Sequence, residues 1–184
     1  MIEKDTKIII ANSFKKLVNK KPIEKITVSD ITKEANISRQ TFYRHFLDKY
    51  DLMNWYFDKI LLESFDHMGE GRTLYECLYK KFVFIKEERL FFKEAFRLDD
   101  KNCLKDHDFE LIYDFYAKRI NEKGHHELDD DIKFLLEMYC NGSIFMTVKW
   151  VMNDCLEDPS IIVNNLIDAM PPKLKEVFLN LKLI

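Results

Sequence analysis

The sequence predicts an all-α protein in which a small N-terminal helix-turn-helix domain precedes a larger C-terminal helical bundle. Three observations support this fold class. The 184 residues include only four glycines and four prolines, so few points interrupt the chain. Apolar residues recur three and four positions apart through most of its length. Charged residues make up 33% of the chain, which suits helices with solvated outer faces.

The first helix is predicted from Lys4 to Asn19. Its apolar residues recur at helical spacing, and the lysines lie off that stripe. The run Lys20-Lys21-Pro22 ends the helix, and Ile23 and Ile26 are expected to fill a small N-terminal core.

Residues 27–46 predict two short helices around a tight turn. Thr27 can cap the first helix, with Asp30 three positions on completing a capping box. Asn36 stands where the chain must turn, and asparagine tolerates the left-handed backbone conformation that such turns need. Ser38 is then the N-cap of the second helix.

The second of these helices has an unusual outer face. Phe42 and Phe46 lie four residues apart and should point inward, which leaves a set of polar residues without any acid outside: Arg39, Gln40, Thr41, Tyr43 and Arg44. Arginine and glutamine match base edges in the DNA major groove, and hydroxyls suit phosphates. An ordinary solvated helix face is the competing interpretation.

The charge distribution divides the chain in the same way. Residues 1–50 hold 11 Lys and Arg against 6 Asp and Glu, whereas the remainder holds 18 against 26. A basic N-terminal part on an acidic body fits a DNA-binding module whose other part avoids the phosphates. The overall net charge of −3 is therefore no argument against nucleic acid.

Beyond the helix-turn-helix, Asp48 should cap a fourth helix that runs to about Met68 and is apolar nearly all round. Such a helix must be covered on several sides, so it should contact both the DNA-binding part and the body. We place the domain boundary before it, giving domains 1–47 and 48–184. Six further helices are predicted: about 73–86, 88–97, 106–123, 129–154, 159–169 and from 172 to near the end.

The residues just described resemble the DNA-binding signature of the TetR family of bacterial transcriptional regulators. The resemblance covers roughly the first 55 residues and rests on Thr27-Val28, Asp30-Ile31, Ala35, Ser38-Arg39, Thr41-Phe42-Tyr43, His45-Phe46, Lys49 and Leu52. Asn36 departs from it, because the family usually has glycine there. A narrower similarity, to TetR-type regulators of dihydroxyacetone kinase operons, is considered as well.

This resemblance implies roles for individual residues. Arg39, Gln40 and Tyr43 would reach base edges, and Thr27, Thr41, His45 and Lys49 would hold phosphates. Ser38 would act as a cap or a phosphate contact, and Arg44 would serve either purpose. The resemblance also implies a homodimer on a palindromic double-stranded DNA operator, and an effector pocket in the C-terminal domain.

The alternative hypothesis keeps the DNA-binding domain but gives the body a partner protein to recognise instead of a small molecule. An enclosed apolar cavity would favour the effector, and a closed core would favour the partner. Asn141, Lys149 and Arg97 are candidates for orienting a ligand. For the dimer, we expect the helix around 129–154 to pair with the final helix, whose stripe includes Leu174 and Phe178. Of the two apolar faces of the former, we favour the one that contains Ser143.

Other functions lack a pattern. The sequence holds no phosphate-binding glycine loop and no nucleophile motif, so we expect neither an enzyme nor a bound cofactor. The four cysteines lack zinc spacing, and His125-His126 reads as a solvated loop, so no metal site is expected. No apolar run approaches the ~20 residues of a membrane span, and no signal peptide opens the chain, which indicates a cytoplasmic protein.

Overall fold

The computed structural model describes residues 2–98, 104–124 and 128–184, with side chains from residue 6 onward. Ten α-helices and no strand occur in those ranges, which confirms the all-α prediction. The helices are α1 Ile2–Val18, α2 Val28–Glu34, α3 Arg39–His45, α4 Lys49–Ser64, α5 Leu74–Glu87, α6 Arg89–Arg97, α7 Leu104–Gly124, α8 Asp130–Met152, α9 Pro159–Asp168 and α10 Pro172–Asn180. The histidine pair 125–126 and Cys103 lie outside the described residues.

The N-terminal three-helix unit forms around one small core. Ile10, Phe14, Ile31, Phe42 and Phe46 are at most 2% exposed. Ile23 and Ile26 are buried as expected, because a short 3₁₀ turn at Ile23–Lys25 holds the connection between α1 and α2 against this core.

Helix α4 contacts both parts of the molecule, as its all-round apolar surface predicts. On one side, Trp55 packs edge-on against Phe46, with ring centroids 5.5 Å apart. On the other, Tyr56 meets Phe91 at 5.3 Å and Phe57 lies beside α6 and α7. Helix α4 ends at Ser64, four residues earlier than predicted, and turns connect it to α5.

A second connection joins the N-terminal unit to the body through α1 and α6. Lys15 forms an ion pair with Glu88 at 2.7 Å, and Phe14 packs on Phe91 with ring centroids 6.0 Å apart. The buried apolar residues consequently form a continuous core from α1 to α10.

In the body, α5 packs on α9 and α7 packs on α8, while α10 closes one end of the bundle. Leu174 and Phe178 of α10 are fully buried, and Phe178 meets Tyr116 of α7 at 5.4 Å. The expectation that α10 presents this stripe to a second subunit is therefore wrong: the subunit's own core covers it.

The exposed face of α8 also differs from the expected one. Ile132, Leu136 and Tyr139 are buried, so the face that we favoured from the sequence points into the body. The opposite face is open, with Phe134 64% and Phe145 68% exposed. Burial was decided by the neighbours α6, α7 and α10, which a helical period by itself cannot identify.

Two further features bear on chemistry. The thiols of Cys77, Cys140 and Cys155 are buried and form no disulfide. Within residues 2–98, 104–124 and 128–184, none of the helices has an apolar run that could span a membrane.

Candidate nucleic-acid interface

The turn between α2 and α3 is built by the residues that predict it. Thr27 Oγ1 accepts a hydrogen bond from the Asp30 amide at 3.1 Å, and the Thr27 amide donates to Asp30 Oδ2 at 2.8 Å, so the capping box is complete. Asn36 has φ +52°, the left-handed conformation that the turn requires. Ser38 Oγ accepts from the Thr41 amide at 3.0 Å and caps α3. These caps fix where α3 begins and hence which residues face outward.

The outer face of α3 consists of long polar side chains. Arg39, Gln40 and Arg44 are exposed, and within the described ranges none of them has an ion pair or side-chain hydrogen bond. Tyr43 is 56% exposed beside them. Phe42 and Phe46 anchor the inner face in the core, 5.9 Å apart. We call this outer face of α3, with Arg39, Gln40, Tyr43 and Arg44, the reading face. It has exposed hydrogen-bond donors and no acid, as the sequence predicts.

The hydroxyls expected at phosphates are held in place by the caps. Thr41 Oγ1 lies 2.9 Å from Ser38 Oγ, and Thr27 Oγ1 donates to Asp30 Oδ2 at 2.8 Å. Thr27 and Ser38 are exposed and Thr41 is half-exposed, so all three reach the same surface as Arg39. Lys21 binds Asp30 at 2.8 Å, and this hydrogen bond together with those of Thr27 holds the pKa of the Asp30 carboxyl far below its usual range. The charge of Asp30 is thus balanced by Lys21 and held within the cap of α2.

His45 does not present its imidazole nitrogens to the surface. Both Nδ1 and Nε2 are buried without a hydrogen-bond partner among the described residues, and the ring lies 6.5 Å from that of Phe46. A phosphate contact through this side chain, as the family resemblance implies, would need a different rotamer. In the conformation present, the His45 ring lies beside Phe46 at the end of α3, and its nitrogens do not reach the surface.

Lys49 is likewise engaged inside the domain. Its Nζ donates to the carbonyl oxygens of Ile23 at 2.8 Å, Glu24 at 2.9 Å and Ile26 at 2.9 Å. Burial lowers the pKa of the Lys49 ammonium from its usual value. All three ammonium donors are used, so this side chain ties the first turn of α4 to the connection between α1 and α2. A phosphate would have to compete with these carbonyls.

We expect Lys49→Ala to destabilise the protein by about 1–3 kcal/mol, because the part-buried carbonyl groups of Ile23 and Ile26 and the exposed one of Glu24 lose a charged donor. Urea unfolding followed by circular dichroism measures this change. A purely phosphate-binding lysine would behave otherwise: stability would be unchanged, and the slope of log affinity against log salt would fall by about one unit. Lys33→Ala, which removes an exposed lysine from α2, is the matched control for stability.

The three polar residues suggested as ligand contacts in the body are all on the surface. Asn141 and Lys149 are exposed on α8, and Arg97 is exposed on α6 beside Glu94. The buried polar groups of the body are different ones. They include Lys81 on α5, 3% exposed, and Asp108 on α7, fully buried. Their signal in the sequence was position: each occupies an apolar stripe, Lys81 with Cys77 and Ile85, and Asp108 with Leu104 and Ile112.

Two open grooves flank the exposed face of α8. One, about 670 Å³, runs between α7 and α8 over Phe109, Ile144, Phe145 and Val148. The other, about 930 Å³, runs between α8 and α9 and is lined by residues such as Met146, Lys149, Ile162 and Asn165. Both grooves are mostly apolar and open to the surface, so another polypeptide could lie in either of them.

The chain matches two curated proteins over part of its length. The chain is 32% identical over 98 residues to the HTH-type dhaKLM operon transcriptional activator DhaS of Lactococcus lactis subsp. lactis (strain IL1403); this covers 51% of the chain and 50% of the relative. It is 38% identical over 52 residues to an uncharacterized HTH-type transcriptional regulator, YxbF, of Bacillus subtilis (strain 168), covering 28% of the chain and 14% of the relative. The matches thus span half or less of these curated relatives.

Two solved structures have the same fold. The dihydroxyacetone kinase operon activator DhaS superimposes with a TM-score of 0.70 at 20% identity, covering 93% of this chain and 97% of that one. The Thermus thermophilus FadR, a TetR family transcriptional repressor in complex with lauroyl-CoA, gives a TM-score of 0.57 at 16% identity, covering 89% and 92%. At these identities the likeness establishes the fold.

Two family profiles match the sequence. Bacterial regulatory proteins of the tetR family match residues 15–54, which include α2, α3 and the start of α4. A transcriptional regulator C-terminal region of the TetR type matches residues 72–171, more than half of the chain. These are profiles of transcriptional regulators and not of enzymes. The chain belongs to the TetR family of bacterial transcriptional regulators.

Proposed function

We propose that this chain regulates transcription in the cytoplasm by binding a palindromic DNA operator as a homodimer, and that a small-molecule effector in the body controls its affinity for DNA. The observation that carries the proposal is the outer face of α3, where free guanidinium and amide groups stand on a capped helix without any acid. The domains of this regulator are 1–47 for DNA binding and 48–184 for dimerisation and effector binding.

In this proposal α3 enters the major groove. Arg39 and Gln40 lie in its first turn, where a recognition helix contacts base edges, and Tyr43 and Arg44 lie one turn further along. Ser38 and Thr41 border the helix with hydroxyls that suit phosphate oxygens. Thr27 would bind a phosphate only by releasing the hydrogen bond that its hydroxyl donates to Asp30 Oδ2. We propose that Lys49 and His45 hold α3 in position and do not contact DNA. Lys49 joins α4 to the connection between α1 and α2, and the ring nitrogens of His45 are buried in its present rotamer.

Gln40→Ala should lower operator affinity by about 1–3 kcal/mol and relax the preference at one base position in each half-site, since a bidentate amide contact is lost. Fluorescence anisotropy with a panel of operator variants measures both effects. Asn12→Ala removes an exposed amide from α1 and serves as the control. Equal affinity and equal base preference in the Gln40 variant and the wild type would contradict the assignment of Gln40 to a base.

We infer the dimer from the exposed apolar face of α8. Phe134, Met138, Phe145 and Met146 are 64%, 55%, 68% and 44% exposed on the outside of this helix. An apolar row of this kind is typical of a protein interface. A two-fold dimer also places two reading helices on half-sites one turn apart, about 34–36 Å, which a palindromic operator requires. We propose that α8 pairs with α8 of a second copy, and that the groove between α8 and α9 receives part of that partner.

Two features of α8 suit antiparallel pairing with itself. Gly142 lies in the middle of the exposed face, and a Cβ added there would meet nothing within 4 Å. Glycine inside a helix costs about 0.5–1 kcal/mol relative to alanine, a cost that close approach of a second helix would offset. In the first half of α8, Asp130 and Asp131 already pair with Lys133 and Lys173, which leaves Glu137, and the second half carries Lys149. Antiparallel helices that cross at Gly142 would bring Glu137 of one copy near Lys149 of the other.

A partner protein bound by the body is the second candidate for control. The open groove between α7 and α8 favours it, because a peptide or helix could lie on Phe109 and Val148 beside the proposed dimer interface. Of the two solved structures with the same fold, one is an operon activator and the other is a repressor in complex with lauroyl-CoA. The response of operator affinity to a small molecule with the purified protein alone distinguishes the two candidates.

A further inference from the structure

One ion pair connects the DNA-binding domain to the body. Lys15 lies in the last turn of α1, and its Nζ is 2.7 Å from Oε1 of Glu88, the residue between α5 and α6. The two side chains are 19% and 28% exposed, so both charges are largely shielded from solvent. Among the residues that the structure describes, no other ion pair joins residues 1–47 to residues 48–184.

The Lys15 ammonium has a second neighbour in Tyr56 of α4. Its Nζ lies 4.9 Å from the centre of the Tyr56 ring, close enough for a cation–π contact. Tyr56 is buried, and its ring packs on Phe91 of α6. Burial alone would lower the pKa of the Lys15 ammonium, but hydrogen bonds to Glu88 and Tyr56 raise it above its usual value. Lys15 therefore stays charged at neutral pH and binds α4 and the start of α6 to α1.

Glu88 is placed to receive this lysine. It is both the C-cap of α5 and the N-cap of α6, and its side chain makes no capping hydrogen bond to α6. Its backbone is held from both sides, because its amide donates to the Phe84 carbonyl and its carbonyl accepts from the Phe92 amide. A carboxylate at the positive end of α6 thus meets an ammonium at the negative end of α1.

The ion pair restrains a motion that the neighbouring apolar contact permits. Phe14 of α1 packs on Phe91 of α6, which resists separation of the two helices. Apolar contacts are non-directional, so two such surfaces can slide with little loss of energy. A hydrogen bond between charged groups depends on distance and angle. The bond between Lys15 and Glu88 therefore fixes the register of α1 on α6.

The register of α1 on α6 affects the orientation of the DNA-binding domain. Helix α4 follows this domain in the chain and packs on it through Trp55 and Phe46. Rotation of the domain about α4 would displace α1 along α6, and the ion pair opposes that displacement. In a two-fold dimer, the same rotation would move each reading face relative to the axis and change the distance between the two half-sites.

We propose that Lys15 and Glu88 are positioning residues that set the half-site spacing which the dimer accepts. The proposal rests on the proposed function, since spacing has meaning only for a dimer on two half-sites. Neither residue contacts DNA in this role: Lys15 acts on α3 through α1, and Glu88 acts through Lys15. Without the pair, the DNA-binding domain adopts several orientations, so several spacings are bound in place of one.

Two other roles for the pair predict different results. Many surface ion pairs contribute nothing measurable, and the loss of such a pair would leave DNA binding unchanged. If Lys15 bound a phosphate, its loss would weaken binding at every spacing alike and lower the salt slope by about one unit. In that case the loss of the acidic Glu88 would strengthen binding. A positioning role predicts the same change from the loss of either partner.

The test uses the full chain and a random double-stranded DNA library long enough for two half-sites up to two helical turns apart. Sequencing of the bound fragments gives the base preference within each half-site and the distribution of spacings. We expect the wild type to select one spacing. Lys15→Met and Glu88→Gln should keep its base preference, accept additional spacings and bind the wild-type spacing about 10-fold more weakly.

The double variant and a neighbouring lysine supply the controls. Lys15→Met combined with Glu88→Gln should bind the wild-type spacing no more weakly than either single variant, because both changes remove the same interaction. Lys16→Met removes the same charge from the same turn of α1. The Lys16 side chain is 67% exposed and its ion pair with Glu34, at 4.0 Å, lies within the DNA-binding domain, so this variant should keep the wild-type spacing.

Wild-type spacing distributions in both single variants would overturn the proposal. Opposite changes of affinity in the two variants would also overturn it, since a phosphate contact by Lys15 predicts them. If Lys15→Met fails to fold, Glu88→Gln decides, because it removes the charge and keeps the shape of the side chain. A wild type that selects no paired half-sites would reject the proposed dimer as well. A wild type that selects one spacing, shared by all variants, would reject the positioning role alone.

Discussion

Replacing Phe145 by glutamate should convert the proposed dimer to a 22.2 kDa monomer and lower operator affinity about 100-fold or more. Phe145 is 68% exposed near the middle of α8, three residues beyond Gly142. In an antiparallel pair, two copies of the new carboxylate would meet close to the two-fold axis. They would be desolvated and would repel each other, while the apolar contact of the ring is lost.

Sedimentation at micromolar concentration measures the oligomeric state, and anisotropy measures operator affinity. Leu62→Glu is the matched control, because Leu62 is 52% exposed on α4 and faces solvent away from the proposed interface. A dimer that survives Phe145→Glu would place the interface elsewhere. Phe178→Glu is not a useful probe of the interface, because Phe178 is fully buried and a carboxylate there would disrupt the body itself.

Trp55→Ala should destabilise the contact between the DNA-binding domain and α4 by about 2 kcal/mol, roughly half the loss for a fully buried tryptophan. The Trp55 ring packs on Phe46, and Lys7 Nζ of α1 lies 5.4 Å from the Trp55 ring and 5.2 Å from the Phe46 ring. These three groups hold α1, the end of α3 and α4 together. We expect operator affinity to fall about 10-fold or more and any effector response to shrink, with most of the helical circular-dichroism signal retained.

Tyr79→Ala is the control for losing an aromatic side chain. Tyr79 is 40% exposed on α5 and stacks on Tyr75 of the same helix. Wild-type operator affinity together with a wild-type effector response in Trp55→Ala would show that α4 does not transmit position between the two domains.

The helices and the reading face were predictable because their determinants are local. A capping box needs only Thr27 and Asp30, and the left-handed turn needs only Asn36. Helical periodicity alone placed Phe42 and Phe46 inward and left Arg39 and Gln40 outside. Each of these determinants acts within about one helical turn, so the order of residues contains all that is needed.

The hydrogen bonds of Lys49 and the burial of the His45 ring nitrogens could not be predicted from the sequence. Lys49 reaches carbonyls 23 to 26 residues away in the chain, and only the folded connection between α1 and α2 brings them within 3 Å. The residue His45 is half-buried, but neighbouring groups of the domain cover both of its ring nitrogens. A residue that matches a DNA-binding signature can thus be committed to the domain's own structure.

The amino-acid sequence by itself determined the class of fold, the two capped helices of the DNA-binding domain and the free face of α3. Tertiary structure alone decided which face of α8 is open, that α10 packs inward through Phe178, and that Lys81 meets Asp108. The physical reason is the range of the interactions. Caps and periodicity act between residues a few positions apart, whereas burial depends on which distant helix covers each face, as α7 covers one side of α8.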